Sequence, residues 1–189
     1  MAAEWALFSK STFASGVEST IAKDSSPLGV TSSFQYWDPY PISIVSAKGA
    51  WMTDVDGRQL LDLSMGFGAM LAGHLNEEVI AETKAALEGG TLFVTPSPIS
   101  RDGAERLCKR FGIEKVRFAN SGTEATMYAV RTAKAFTGKS AIVKLEGGYH
   151  GSYDPLTVSA KPSLDQAGNP EEPNPVIGHG VNAGVVFVV

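Results

Sequence analysis

The 189-residue sequence holds one cysteine, three histidines and no run of basic side chains. A single cysteine, Cys108, excludes an intrachain disulfide and fits a reducing compartment. It falls in a helical pattern with Ala104, Leu107 and Phe111, where a thiol serves as a small hydrophobe. Three scattered histidines without a Cys pair give no metal-ligand spacing, so no metal site is expected. A net charge of −4, from 16 basic and 20 acidic side chains, leaves no stripe to neutralise nucleic-acid phosphates. The longest apolar run, Val185 to Val189, is far too short to cross a bilayer. Met1 to Thr12 lacks the basic-then-apolar order of a secretory signal. No nucleic-acid or membrane partner is expected, and the expected location is cytoplasmic.

What is present is an ordinary globular composition, 43% hydrophobic and 19% charged, in a chain long enough to bury a core. Residues 1–33 are rich in Ser, Thr and Ala with weak periodicity, which reads as an arm whose partners lie elsewhere. Trp51–Val55 and Gln59–Leu63 flank Asp56-Gly57, a hairpin signal because glycine adopts positive φ freely. A glycine-rich stretch, Met65 to His74, follows. Asn76 is placed to cap a helix carrying Val79, Ile80, Thr83 and Leu87 on one face, ended by Gly89-Gly90. A second helix is predicted from about Pro98 to Arg110. Strand 115–119, helix 122–136 and strand 141–145 then give the rhythm of a β-α-β unit. Residues 160–180 read as a long loop. The apolar 185–189 run suits a strand inside a parallel sheet, and in this chain by itself it is expected to lie unpaired.

Two short runs carry the chemistry. Asn120-Ser121-Gly122-Thr123-Glu124-Ala125 joins an apolar strand to a helix. A Ser-Gly-Thr helix start offers free backbone N–H groups, two hydroxyls and the positive end of the helix dipole at one point, which suits a phosphate. Taken singly, the same residues read first as a helix cap, because cap residues at helix starts are far commoner than anion sites. Gly147-Gly148-Tyr149-His150-Gly151 sets an aromatic ring and an imidazole in a glycine-rich loop after the next strand. A phosphate cradle at one strand end beside an aromatic platform at the next points to a flat, phosphorylated cofactor, with pyridoxal 5'-phosphate as the candidate.

In their order along the chain, Asp54-Val55-Asp56-Gly57, Gly73-His74, the Asn120–Ala125 run and Glu146–Gly151 resemble the first part of the class III pyridoxal-phosphate-dependent aminotransferases. The branch that they most resemble is that of glutamate-1-semialdehyde 2,1-aminomutase and the β-amino-acid aminotransferases, and the likeness runs from about Pro27 onward. The resemblance implies an α/β protein of fold type I, with residues 1–65 as an N-terminal arm and β-hairpin segment of the small domain. Residues 66–189 would be the first, incomplete part of the cofactor-binding large domain. It implies amino-group transfer between an amino acid and a carbonyl compound, hence a small-molecule amino donor and acceptor. It also implies a homodimer, or association with a complementary C-terminal fragment.

Carried over by motif, Ser121, Gly122 and Thr123 would hold the cofactor phosphate, Tyr149 would stack on the pyridine ring and His150 would lie beside it. Phe67, in Gly66-Phe67-Gly68, falls where the aminomutases have an aromatic pocket residue; core packing after the hairpin is the other reading. Gln35 falls where the aminomutases supply an arginine to the substrate carboxylate, and an amide cannot make that bidentate charged contact. No catalytic residue is assigned within the chain. The Schiff-base lysine and the carboxylate facing the pyridine nitrogen are implied downstream of Val189, and Lys134, Lys139 and Lys144 read as solvated charges. The chain alone is therefore expected to be inactive. The alternatives are a truncated or degenerate fragment that binds cofactor or phosphate without catalysis, and an unrelated α/β enzyme for a phosphorylated sugar.

Overall fold

The computed structural model describes residues 2–189, which form two units, one ending at Val94 and the other spanning Thr95–Val189. Residues 2–22 hold two helices, α1 (Ala2–Ser11) and α2 (Phe13–Ala22), where an arm without its own partners is expected from sequence. The reason lies in which residues α2 buries. Thr12, Ser15 and Ser19 face inward while Phe13 and Ile21 face out, so the buried face is written in small polar residues and apolar periodicity misses it.

A remote carboxylate fixes that face. Thr12 stands at the N-cap of α2, but its hydroxyl donates to the Phe8 carbonyl at 2.7 Å. Asp56, from the hairpin, supplies the cap instead: its carboxylate accepts from the Ala14 amide (2.7 Å), the Ser15 amide (3.1 Å) and the Ser15 hydroxyl (2.8 Å). A negative charge at a helix N-terminus is favoured by the dipole.

Partial burial works against ionisation of Asp56, yet these three donors outweigh it and hold the carboxyl below its usual value. A carboxyl with a depressed folded pKa stabilises the fold above its unfolded pKa of about 3.9. That contribution is lost as pH falls through the folded value. Asp56→Asn is therefore expected to lower stability near neutrality and to flatten the acid limb of an unfolding curve followed by circular dichroism. An unchanged acid limb would contradict the assignment.

The first unit is completed by an antiparallel sheet in the order β1 (Ile44–Lys48), β2 (Trp51–Asp54), β3 (Gln59–Leu61). The β2–β3 hairpin closes through buried Asp54, which accepts from the Arg58 amide at 2.8 Å and the Arg58 Nε at 2.7 Å. Gly57 turns there at φ +81°. Helix α3 (Glu77–Glu88) begins at Asn76, whose side chain accepts from the Val79 amide as the sequence predicts.

In the second unit, α4 (Pro98–Phe111) ends on left-handed Gly112, and α5 (Gly122–Thr137) ends on left-handed Gly138. Between them, residues 115–119 form no strand, against expectation. A strand is defined by its ladder, and among the described residues no segment pairs with this one. After α5 come β4 (Ile142–Lys144), the short α6 (Asp154–Thr157), two-residue strands β5 (Gly168–Asn169) and β6 (Glu172–Pro173), and β7 (Val186–Val188). The β5–β6 ladder thus interrupts the loop expected over 160–180.

The 185–189 run is paired, not alone. β7 lies parallel to β4, with Ile142 opposite Val186 and Lys144 opposite Val188. Val158, Ala183 and Val188 form a small buried cluster beside it. Lys144 also departs from expectation. It is 5% exposed, and its amine donates to the Val158 carbonyl. Burial lowers its pKa, partly offset by Glu146.

Much of the surface is apolar: Leu71, Phe136 and Leu164 are almost fully exposed.

Candidate functional site

The start of α5 is built so that some of its amides stay free. Ser121, in extended conformation at the N-cap, accepts from the Glu124 amide at 3.2 Å. Glu124 reaches back to accept from the Asn120 amide at 2.6 Å, a capping box displaced by one residue. The amides of Gly122 and Thr123, at the first two helical positions, have no intrahelical acceptor. Gly122 has no positive φ, and a Cβ built there would meet nothing within 4 Å. The backbone does not require glycine here. What glycine leaves at this position is open space.

The Tyr149 loop docks directly on this helix start. Gly151 is buried at φ +91°, and a Cβ there would stand 2.6 Å from the Thr123 Oγ1 and 2.7 Å from its Cα. The Thr123 hydroxyl accepts from the Ser152 amide at 3.1 Å and keeps its own proton to donate. Thr126 donates to the His150 carbonyl at 2.8 Å. From the other side, the Gly147 amide donates to the Ser159 carbonyl at 2.8 Å. Ser121, Gly122, Thr123, Tyr149 and His150 are thereby brought together. The Tyr149 ring is half-exposed, and the His150 ring folds back over Gly148.

Thr126 and Ser152 are parts of this arrangement that sequence reasoning misses. Thr126 lies one turn into α5, on the face of the Ser-Gly-Thr start, and that spacing was the available signal.

In the first unit, Phe67 is 84% exposed, which removes the core-packing reading within this chain. It sits in four consecutive left-handed residues: Met65 (φ +46°), Gly66 (+61°), Phe67 (+55°) and Gly68 (+85°). Each non-glycine residue in that region costs about 1–2 kcal/mol. The turn is held by buried Asp62, whose Oδ1 accepts from the Ser64 and Met65 amides at 2.9 and 2.8 Å. Its Oδ2 meets the His74 Nε2 at 2.8 Å. The His74 contact, then the two amides, keep the Asp62 carboxyl below its usual value. Phe34 meets the Phe67 ring edge-on at 5.9 Å.

Gln35 uses its carbonyl end locally, accepting from the Thr31 hydroxyl at 2.9 Å and the Thr31 amide at 3.2 Å. It lines a cavity of about 830 Å³ with Phe8, Trp37, Tyr40 and Met52. Among the described residues, no three His, Cys, Asp or Glu side chains gather as for a metal ion, and no helix is long and apolar enough to cross a membrane.

Comparison with known proteins follows the same lines. A family model described as aminotransferase class-III matches residues 34–174. The glutamate-1-semialdehyde 2,1-aminomutase of Methanocorpusculum labreanum is 40% identical over 153 residues, which are 80% of this chain and 37% of that protein. An omega-transaminase from Sphaerobacter thermophilus superposes with a TM-score of 0.87 at 32% identity, over 93% of this chain and 41% of its own. A transaminase with PLP bound superposes at 0.85 and 35% identity, over 94% of this chain and 41% of its own. The chain therefore spans little more than a third of the length of the curated relative.

Proposed function

The chain belongs to the class-III aminotransferase family, and we propose that it forms the first part of a pyridoxal-phosphate-dependent aminotransferase or aminomutase. Its fold is part of the fold type I α/β architecture. The observation that carries the functional reading is the docking of Gly151 and Ser152 on Thr123, which sets an aromatic loop beside an open, amide-bearing helix start.

These residues fit the cofactor. The Gly122 and Thr123 amides and the Thr123 hydroxyl would bind its phosphate, helped by the helix dipole. Ser121 would keep the helix start in shape through its bond to Glu124. Tyr149 would offer a flat apolar face to the pyridine ring, limiting its tilt without fixing an in-plane angle. His150 would close one side of the platform. Bound pyridoxal phosphate supplies a ring that draws electron density from the amino-bearing carbon of the substrate.

Residues 1–65 would belong to the small domain with its arm, and 66–189 to the cofactor-binding domain. The exposed apolar surface would be covered by the remainder of the enzyme and by a second subunit in a cytoplasmic homodimer. Phe67 and Gln35 would line the substrate pocket. With an amide at position 35, the reading favours an aminotransferase acting on ω- or β-amino acids over semialdehyde isomerisation.

The lysine of the reaction would lie outside these residues. Lys134 stands twelve residues along α5 from Gly122, about 18 Å at 1.5 Å per residue. Lys139 lies beyond the helix end, and the Lys144 amine is committed to Val158. Residues 1–189 expressed alone with pyridoxal phosphate are expected to turn over no amino donor faster than the free cofactor, whereas the complete enzyme does. Turnover by 1–189 that disappears on replacing any one lysine within these residues would overturn the reading.

A further inference from the structure

The glycine-rich stretch is closed by a contact that the cofactor chemistry leaves unexplained. Phe67 is almost wholly exposed, so the protein orients its ring through its backbone and through one edge contact with Phe34. That backbone is left-handed at four successive positions, a conformation that Met65 and Phe67 leave when nothing holds them. One Asp62 oxygen holds the first turn by accepting from the Ser64 and Met65 amides, and the other reaches across to His74. His74 in turn is fixed from outside the turn. Its amide and carbonyl exchange two hydrogen bonds with Gly49, both at 2.8 Å. Gly73 lies so close that a Cβ there would stand 3.2 Å from the Gly49 carbonyl oxygen. The position of the imidazole is thus set by the loop joining β1 to β2, and the carboxylate transmits that position to the Phe67 turn.

We propose that Asp62 and His74 are a positioning pair that holds Phe67 in its left-handed turn and so sets which amino donors the pocket accepts. The inference rests on the reading of Phe67 as a pocket residue. Neither Asp62 nor His74 need touch substrate or cofactor.

The test uses the complete enzyme with a bulky aryl amino donor and with alanine. His74→Ala is expected to raise KM for the aryl donor about tenfold, with a much smaller change in kcat and in KM for alanine. His74→Gln, whose amide can still donate to Asp62, should restore KM to within about twofold. In a Phe67→Ala background, His74→Ala should add less than about twofold, because the pair acts through that ring. Independently of activity, the amides of Met65, Gly68 and Met70 should exchange with deuterium at least tenfold faster in His74→Ala, while β1–β3 amides are unchanged. Asp62→Asn, which keeps an acceptor for the Ser64 and Met65 amides, carries the same comparison if His74→Ala does not fold. A full tenfold effect of His74→Ala in the Phe67→Ala background, or unchanged exchange at those amides, overturns the inference alone. If Phe67→Ala itself leaves both KM values unchanged, the pocket reading falls and this inference falls with it.

Discussion

Gly122→Val is expected to lower affinity for pyridoxal phosphate by about two orders of magnitude while α5 stays folded. Hydrogen bonds to a charged group contribute about 1.5–3 kcal/mol each, and 1.4 kcal/mol is a factor of ten. Two amides kept away from a phosphate by a branched side chain are enough for the expected loss. Folding should change little for three reasons. Gly122 has no positive φ, its missing Cβ faces open space, and the cap is made by Ser121 and Glu124. Valine is also no worse than glycine in a helix. Equilibrium dialysis, with a melting curve as control, reads both quantities. Equal affinity in variant and parent would remove the phosphate from this helix start.

Gly151→Ala is expected to act on the same affinity through the platform. The new Cβ would overlap Thr123, and φ +91° is poorly tolerated by an L-residue. The loop must withdraw, releasing the Ser152 amide from Thr123 and the His150 carbonyl from Thr126. Two hydrogen bonds and the backbone strain together amount to roughly 2–3 kcal/mol of local docking energy. The comparison with inorganic phosphate separates the two glycines. Gly122→Val should lose both phosphate and cofactor, whereas Gly151→Ala should keep phosphate and lose the extra affinity owed to the ring. Parallel losses for both ligands in Gly151→Ala would mean that the Tyr149 loop is not a ring platform.

What the sequence revealed and what it hid divide along a physical line. Elements fixed by local rules were legible: the Asp56-Gly57 hairpin, the Asn76 cap, the α4 and α5 spans, and the Ser-Gly-Thr start. Features that depend on distant partners were not. The Asp56 cap on α2 joins residues about forty positions apart, and no local pattern announces it. The run 116–119 has strand composition, but a ladder needs a neighbour that these residues do not supply. Lys144 reads as a surface charge until Val158 and β7 close over it. Within the site, the two motifs were visible separately, and their contact through Gly151 and Thr123 was not. The Phe67 turn was hidden for another reason: glycines on either side announce positive φ, but nothing in the letters announces it for Met65 and Phe67.

The most direct measurement is a crystal structure of the complete enzyme grown with pyridoxal phosphate. The phosphate is predicted to lie within hydrogen-bond distance of the Gly122 and Thr123 amides and the Thr123 hydroxyl, with the Tyr149 ring stacked roughly parallel to the pyridine plane. A phosphate bound elsewhere, with those amides facing water and Tyr149 turned to solvent, would contradict the account.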